Sequence, residues 1–313
     1  MKVFVAGASG AIGQQLVPQL VAAGYQVVAM TRSQRHIEQL RTQGAEPALA
    51  DALDRAAVLE AVRRAQPEVI IHELTALTGL KDFKHFDREF AQTNRLRTEG
   101  TDVLLAAARE VGARRFIAQS YGNWIYARTG GMAKTEEDAL DPTPPANQRE
   151  SLAAIRYLEG AVLGAEGIEG MALRYGGLYG PHTNMAADGD IAAMMRKRMF
   201  PVIGDGAGVW SFTHVADAAS AAVAAIAHGA PGVYNIADDE PAPVRVWLPA
   251  YAQALGARSP MRIPTWLGKL MVGEVGVSFM TQQRGESNAK AKRELAWTPT
   301  YASWREGFKG ALG

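Results

Sequence analysis

The chain of 313 residues contains no cysteine, which excludes disulfides, thiolate metal sites and a cysteine nucleophile. It lacks an excess of either charge, with 33 basic against 32 acidic residues, so neither nucleic acid nor a membrane surface is indicated as a partner. Its alanine-rich run ASAAVAAIAHG is too short to span a bilayer, and its N-terminus meets glycines too early for a signal peptide. We therefore expect a cytoplasmic protein.

Known site motifs are also scarce. No zinc or calcium spacing occurs, so no metal site is expected, and the chain has no Gly-x-Ser-x-Gly nucleophile elbow. Apolar residues, by contrast, make up 48% of the chain, which is enough for a sizeable core.

Short apolar runs alternate with helical patterns through the first half of the chain. Strands are predicted over 2–7, 26–31, 46–50, 68–73, 114–120 and 168–174. Helices are predicted near 11–23, 34–43, 54–65, 83–111 and 148–165. This alternation predicts an α/β fold with a doubly wound parallel sheet of the Rossmann type.

The second half is less regular and predicts a smaller C-terminal lobe. A helix near 214–228 and a strand in GVYNIA return to the sheet pattern, whereas the last 74 residues, 240–313, carry separate amphipathic pieces. The expected division is a dinucleotide-binding domain over 1–175 and about 210–237, and a substrate-binding lobe over 176–209 and 238–313.

The first predicted strand runs directly into the glycine-rich stretch GASGAIG and a helix. Gly7 permits a tight turn, Gly10 lets the backbone approach a pyrophosphate, and Gly13 lets the helix pack closely on the strand. Free N–H groups at the helix start then favour phosphates. The dinucleotide-binding residues predicted in this stretch are Gly7, Ser9, Gly10, Ala11, Ile12 and Gly13.

The second predicted strand ends in MTRSQRH, where an NAD-binding site usually has an acid for the adenosine ribose. This chain has Arg32 there, with Arg35 close behind. A guanidinium pairs well with a ribose 2′-phosphate, so the sequence favours NADP over NAD as the cofactor.

Further stretches resemble the extended branch of the short-chain dehydrogenase/reductase superfamily, the relatives of the nucleotide-sugar epimerases and dehydratases. They are GASGAIG, VIIHELTAL, Asn94 with EGTDVLLAAAREVGARRFI, LRYGGLYGP, FTHVADAASA and YNIADDEP. The resemblance implies an adenine contact at Asp51, a backbone path for the cofactor after the fourth strand, and a nicotinamide site at the ends of the fifth and sixth strands. The residues concerned are Asp51, Ala52, Leu74, Thr75, Ala76, Asn94, Ser120, Tyr175, Gly176 and Gly177.

The resembled family carries a Tyr-x-x-x-Lys pair on the helix after the fifth strand, where the lysine holds the nicotinamide ribose and the tyrosine moves a proton. In SLAAIRYLE these positions are Ser151 and Ile155, with the glutamate that often follows kept as Glu159. No Tyr-x-x-x-Lys pair occurs elsewhere in the chain. Losing a positioned acid or base typically costs about 10²–10⁴ in rate.

Replacement groups are sought in QSYGNWIY. Tyr121 is the first candidate for the proton donor, and Ser120 is the second candidate for a catalytic residue. The expected substrate-pocket residues are Asn123, Tyr126, Ser151, His182 and Asn184.

Three functions remain open on the sequence. The first is an NADP-dependent oxidoreductase acting on a small, hydrophobic carbonyl, enone or quinone-like metabolite with a non-standard proton donor. The second is a nucleotide-sugar epimerase or dehydratase, and the third is a non-catalytic NADP-binding regulator. The resemblance also implies a homodimer contact through the helices near 83–111 and 148–165.

Overall fold

The computed structural model describes residues 1–77 and 82–312. Residues 78–81 and 313, which fall in the predicted dinucleotide-binding domain and substrate-binding lobe, lie outside this description. No helix among the described residues is both long enough and apolar enough to cross a membrane.

The strands, numbered in chain order, are β1 Lys2–Ala6, β2 Gln26–Thr31, β3 Glu46–Leu49, β4 Val69–His72, β5 Arg115–Tyr121, β6 Ala133–Lys134, β7 Glu169–Tyr175, β8 Gly177–Tyr179, β9 Val202–Ile203, β10 Val209–Trp210, β11 Phe212–His214, β12 Gly232–Ile236, β13 Ala242–Pro243, β14 Arg262–Ile263 and β15 Gly285–Glu286. The helices are α1 Ala11–Ala22, α2 Ile37–Thr42, α3 Arg55–Ala65, α4 Phe86–Arg95, α5 Thr101–Glu110, α6 Arg149–Leu163, α7 Asp190–Arg196, α8 Val215–Ala227, α9 Val244–Ala254, α10 Thr265–Thr281, α11 Ala289–Glu294 and α12 Trp304–Leu312. Short 3₁₀ turns occupy Gln34–His36, Phe83–His85, Asn123–Ile125 and Ala146–Gln148.

Within the described residues, seven strands form one sheet in the order β12-β7-β5-β4-β1-β2-β3, and every neighbouring pair is parallel. The chain moves outward from β1 to β3 and then returns to the other side of β1 with β4. This reversal creates a crevice at the carboxyl ends of β1 and β4, where ligands of such sheets bind. The predicted doubly wound parallel sheet is confirmed.

Both faces of the sheet are covered, because its central strands are apolar throughout and must be buried on both sides. One core packs β1, β4 and β7 against α1 and α8. The other packs the opposite face against α3, α5 and α6. A third core joins α7, α9 and α12 around Phe212 and Trp247 in the C-terminal part.

The helix predicted over 83–111 is interrupted. α4 ends at Arg95, a π-turn follows over Leu96–Gly100, and α5 begins at Thr101. A π-turn adds a residue to one helical turn, so it rotates the side chains before and after it relative to one another. The helix predicted over 34–43 is likewise divided into a 3₁₀ turn and the short α2.

Candidate functional site

The glycine turn after β1 has the geometry that its sequence predicted. Gly7 has φ +95°, and a Cβ on it would lie 2.5 Å from the carbonyl oxygen of Glu73. A Cβ on Gly13 would lie 2.4 Å from the Gly7 carbonyl oxygen, whereas one on Gly10 would keep 3.3 Å from the same atom. Gly7 and Gly13 are therefore required by the fold, while the missing side chain of Gly10 leaves space at the helix start for a ligand.

The other predicted residues of this turn hold the turn in place. The Ser9 hydroxyl lies 3.1 Å from that of Thr31 at the end of β2. α1 begins at Ala11 with no side-chain cap, so its first N–H groups are available to a phosphate, and Ile12 anchors the helix in the core. These residues fit the pyrophosphate of a dinucleotide.

The predicted adenosine end of the crevice carries positive charge. Arg32 is exposed after β2 and makes no ion pair with any described residue, while the Arg35 Nε donates to His36 at 3.1 Å. Asp51 is exposed, and its Oδ1 accepts from the Leu53 N–H at 2.9 Å. The neighbouring Ala52, also predicted as a cofactor contact, is buried.

Leu74, Thr75 and Ala76 follow β4 at the edge of the crevice and are partly buried, as expected of a path beside a cofactor. Just before them, burial raises the pKa of Glu73 to about 8, so its carboxyl is protonated at neutral pH. Its Oε1 accepts the Tyr175 hydroxyl proton at 3.0 Å. The Tyr175 side chain thus packs in the core and donates its hydroxyl proton to Glu73, and its predicted contact with nicotinamide stays a prediction.

The backbone N–H groups of the turn after β7 are already hydrogen-bonded within the protein. The Gly176 N–H donates to Thr213 Oγ1 and to the Ile236 carbonyl, and the Gly177 N–H donates to the Ser211 carbonyl. Gly176 and Gly177 therefore offer a ligand their backbone surface only, since neither has a spare N–H donor.

Ser120 does not present a free hydroxyl to a substrate. Its Oγ donates to Glu159 Oε1 at 2.7 Å, and Glu159 forms a two-contact ion pair with Arg174 at 2.7 and 2.6 Å. Arg174 also donates to the Tyr126 hydroxyl, which donates in turn to Asn235. Ser120 has no free proton to give, because its Oγ donates to a buried carboxylate, and its catalytic role stays a prediction.

Two predicted substrate residues are also structural. Tyr126 is buried within the same network and has both a donor and an acceptor partner. The Asn123 side chain exchanges two hydrogen bonds with the Ser211 backbone, and its N–H donates to Glu286 at 2.7 Å. Both side chains are buried and hydrogen-bonded within the protein, and their roles as substrate contacts stay predictions.

Tyr121 stays the predicted proton donor. It ends β5 at the carboxyl edge of the sheet, is partly exposed, and packs on Trp124 with ring centroids 5.8 Å apart. Burial raises the pKa of its phenol to about 12, while Asn123 and Arg97 oppose that shift. The phenol is therefore protonated at neutral pH and is able to donate.

Helix α6 carries no acid–base pair at Ser151 and Ile155, the positions of tyrosine and lysine in the resembled family. Ser151 is fully buried, and its Oγ donates to Asp87 Oδ1 at 2.6 Å and accepts from Asn94 Nδ2 at 3.2 Å. The Asp87 carboxylate also accepts the N–H groups of Glu150 and Ser151, so it caps the helix. Ser151 is thus bonded within the protein through its whole hydroxyl group, and its role as a substrate contact stays a prediction.

Ile155 lies in an aromatic cluster, defined here as Phe86, Phe90, Trp124 and Phe279 with the aliphatic residues around them. Phe86 meets Trp124 edge-on at 5.5 Å, and Trp124 stacks on Phe279 at 6.2 Å. Partly buried Tyr121 borders this cluster. The α6 face that ends near Tyr121 is therefore apolar and aromatic.

His182 and Asn184 lie in the loop after β8. His182 is exposed, whereas the Asn184 Nδ2 donates to the Leu77 carbonyl at 3.3 Å and so ties this loop to the segment that follows β4. Both stay predicted substrate contacts, since the loop borders the crevice.

Sequence reasoning missed two buried ionisable groups near Tyr121. Arg97 is 4% exposed within the π-turn, and Glu286 enters from the C-terminal part to accept the Asn123 N–H. Burial lowers the pKa of Arg97 to about 10 and raises that of Glu286 to about 8. No sequence motif marks either residue, because a π-turn and a distant strand position cannot be derived from helical spacing.

Comparison with known proteins places these features in context. The chain matches the profile of the NAD dependent epimerase/dehydratase family over residues 3–237. It is 44% identical to a 3-diazoavenalumate denitrifying reductase of a Streptomyces species, over 98% of this chain and 99% of that protein. It is 29% identical to a 2-alkyl-3-oxoalkanoate reductase of Stenotrophomonas maltophilia, over 82% of this chain and 76% of the relative.

Among solved structures, the fold is similar to that of the UDP-glucose 4-epimerase of Thermotoga maritima in complex with UDP-glucose. The TM-score is 0.75 at 24% identity, and the match covers 99% of this chain and 97% of the epimerase. At that identity the likeness shows the fold.

Proposed function

Because this chain belongs to the NAD dependent epimerase/dehydratase family, we propose that it is an NAD(P)-dependent reductase that transfers hydride to a small, aromatic electrophile. One observation carries the proposal: α6 has a buried, fully bonded Ser151 and a buried Ile155 where proton transfer would be organised. Oxidation of a sugar hydroxyl needs a base at that place, so the epimerase function is disfavoured.

The glycine turn supports a dinucleotide as the cofactor, and its nicotinamide would supply the hydride. We favour NADP because exposed, unpaired Arg32 stands where a 2′-phosphate would lie. In this arrangement the glycine turn and the start of α1 hold the pyrophosphate, and the ends of β4 and β5 border the nicotinamide half.

The substrate class we favour is an aromatic diazonium ion. In a denitrifying reduction, hydride and Ar–N₂⁺ give Ar–H and N₂: the C–N bond breaks, the hydride electron pair forms the new C–H bond, and no net proton is taken up. Such a reaction does not need the acid–base pair that α6 lacks. The partly exposed ring of Tyr121, at the border of the aromatic cluster, also suits contact with a flat, cationic ring system.

The 44% identical relative, named a 3-diazoavenalumate denitrifying reductase, supports this class, and the match covers 98% of this chain and 99% of that protein. A ketone is the second candidate class, supported by the 2-alkyl-3-oxoalkanoate reductase. Ketone reduction does take up a proton, and the Tyr121 phenol is the donor placed to give it. The two classes therefore differ in their need for Tyr121.

The test uses both classes with the wild type, Tyr121→Phe and Ser151→Ala. For an aryl diazonium substrate we expect NAD(P)H oxidation matched by N₂ release, with deuterium from labelled cofactor found on the ring. Tyr121→Phe should change that turnover by less than about threefold and lower ketone turnover by about tenfold or more. Ser151→Ala should change either rate by less than about threefold.

Two results would contradict the proposal, and a third would contradict the role given to Tyr121. Oxidation of a UDP-sugar without net NAD(P)H consumption would favour the epimerase function. Tight NAD(P)H binding without turnover of either class would favour a regulator. A crippled Ser151→Ala with a healthy Tyr121→Phe in ketone reduction would show that the serine moves the proton.

A further inference from the structure

Arg97 is directed inward by the π-turn. Its predecessor Arg95 ends α4 on the surface and pairs with Glu99 at 2.8 Å. Two residues later, within the widened turn, the Arg97 side chain is almost completely buried, at 4% exposure. Thr101 Oγ1 donates to the Arg97 carbonyl at 2.8 Å, which closes the turn. π-turns cost helix regularity and are frequent at functional sites.

The electrostatic effects between Arg97 and three neighbouring side chains indicate where its guanidinium lies. Burial lowers the pKa of His72, at the end of β4, to about 4, and the charge of Arg97 adds to that shift. At the end of β5, the same charge opposes the rise in the Tyr121 pKa. Tyr121 and Glu159 in turn counteract the effect of burial on Arg97 itself. The positive charge therefore lies at the carboxyl ends of β4 and β5, against α6.

The contacts along α6 give the same position. Asn94, about one turn before Arg97, donates to Ser151 at the start of α6. Glu159, which interacts with the Arg97 charge, lies two turns farther along α6. Arg97 thus lies on the side of the π-turn that faces α6.

The guanidinium has an unused donor. Arg97 Nη1 is buried and has no hydrogen-bond partner within the described part of the chain, and neither does Asn94 Oδ1 one turn earlier. A buried donor without a partner is costly, and buried polar groups in folded proteins are almost always bonded. Both residues belong to the segment of α4 and the π-turn, and Asn94 contacts the start of α6. Two unpaired polar atoms within one turn of each other indicate that a polar ligand completes this region.

We propose that Arg97 is a cofactor-binding residue, whose Nη1 donates to a hydroxyl of the ribose next to the nicotinamide. This inference rests on the proposed use of a dinucleotide. β5 is two strands from β1 in the sheet, roughly 10 Å at the usual strand spacing. A dinucleotide held by its pyrophosphate on the glycine turn after β1 would have its nicotinamide half towards the ends of β4 and β5, where Arg97 lies. Ribose hydroxyls are acceptors that suit a guanidinium donor.

The test measures binding in the absence of substrate. Wild type, Arg97→Met and Arg97→Lys are titrated with NADPH and NADH, and with 2′,5′-ADP and ADP, which lack the nicotinamide riboside. Arg97→Met keeps most of the apolar stem and removes the donors. It should weaken NAD(P)H binding by about tenfold or more and change binding of the adenosine halves by less than about twofold. Arg97→Lys should recover part of the lost affinity. Arg109→Met, at the exposed end of α5, is the control for loss of an arginine and should bind all four ligands like the wild type.

Other results would overturn the inference. Equal losses for NAD(P)H and for the adenosine halves would assign Arg97 a structural role. Unchanged affinity for all four ligands, with only a raised KM for the reducible substrate, would assign its donor to the substrate. If Arg97→Met does not fold, Arg97→Gln replaces it under the same criteria. Failure of the reductase proposal is distinguishable, because it appears as wild-type protein that binds NAD(P)H without oxidising it.

Discussion

Removal of one carboxylate, in Glu159→Gln, should cost this fold far more than removal of a surface charge. Glu159 and Arg174 form a buried, two-contact ion pair, with side-chain exposures of 7% and 5%. Ser120 donates to the same carboxylate, and Tyr126 accepts from the other side of the guanidinium. The pair therefore joins α6, β5, β7 and the loop after β5.

The loss in free energy of unfolding follows from the buried Arg174 charge that Glu159→Gln leaves without a carboxylate partner. Glutamine keeps the shape but leaves the Arg174 charge buried without a carboxylate, and breaking a buried pair in this way costs about 3–5 kcal/mol. The Arg95–Glu99 pair has similar distances, 2.8 and 2.9 Å, but both side chains are 53% exposed. Exposed pairs contribute about 0–1 kcal/mol, so Arg95→Gln is the matched control.

Urea denaturation at neutral pH, followed by tryptophan fluorescence and by circular dichroism, measures both free energies of unfolding. We expect Glu159→Gln to unfold at clearly lower urea and Arg95→Gln to stay near the wild type. Ser120→Ala should fall between them, since it removes one hydrogen bond and leaves the ion pair, at about 1–3 kcal/mol. A Glu159→Gln protein as stable as Arg95→Gln would refute the reasoning, because the Arg174 charge would then be solvated.

Three further predictions follow from single positions. Arg32→Ala should remove a preference of about 1–3 kcal/mol for NADP over NAD, measured by titration with both cofactors, and equal wild-type affinities would rule the preference out. Gly10→Val should abolish dinucleotide binding in a folded protein, whereas Gly13→Ala should destabilise the fold itself, because its Cβ would lie 2.4 Å from the Gly7 carbonyl oxygen. Burial raises the pKa of Glu286 from 4.5 to about 8. The contribution of its protonated form to the free energy of unfolding is therefore fully present below about pH 4.5 and is lost as pH rises through 8. Glu286→Gln should therefore show a shallower fall in unfolding free energy over that window, and an unchanged slope would mean that Glu286 is ionised in the folded protein.

The sheet and the glycine turn were predictable because each follows from local chemistry. The strands are apolar on both faces, as parallel strands covered on both sides must be. Gly7 and Gly13 are spaced as a tight strand-to-helix turn requires, and the structure shows the close contacts that exclude larger residues there. Neither inference needed the position of a distant side chain.

The roles of Ser120 and Tyr121 were not predictable to the same extent. Successive side chains of a strand point to opposite faces. A shift of one residue in the predicted end of the strand therefore changes which of the two side chains is expected to reach the crevice. In the structure Ser120 points to Glu159 on α6, and Tyr121 reaches the aromatic cluster. The sequence also could not reveal the π-turn, because an additional residue in one turn leaves the apolar spacing on either side intact. Arg97 was missed for that reason.

The packing around α6 indicates whether the site has lost its ligand or binds it through other residues than the resembled family uses. Ser151 has two internal partners and Ile155 is enclosed by aromatic rings, so both positions are finished parts of a core. Arg97 is the opposite case, since its unpaired donor costs about 1–3 kcal/mol in the folded chain, and an apolar side chain would remove that cost. A protein without use for a ligand at this edge gains nothing from that arginine. These two observations favour a site that still binds a polar group beside Tyr121. In this site the positive charge comes from Arg97 in the π-turn, whereas in the resembled family it comes from a lysine on the helix that corresponds to α6.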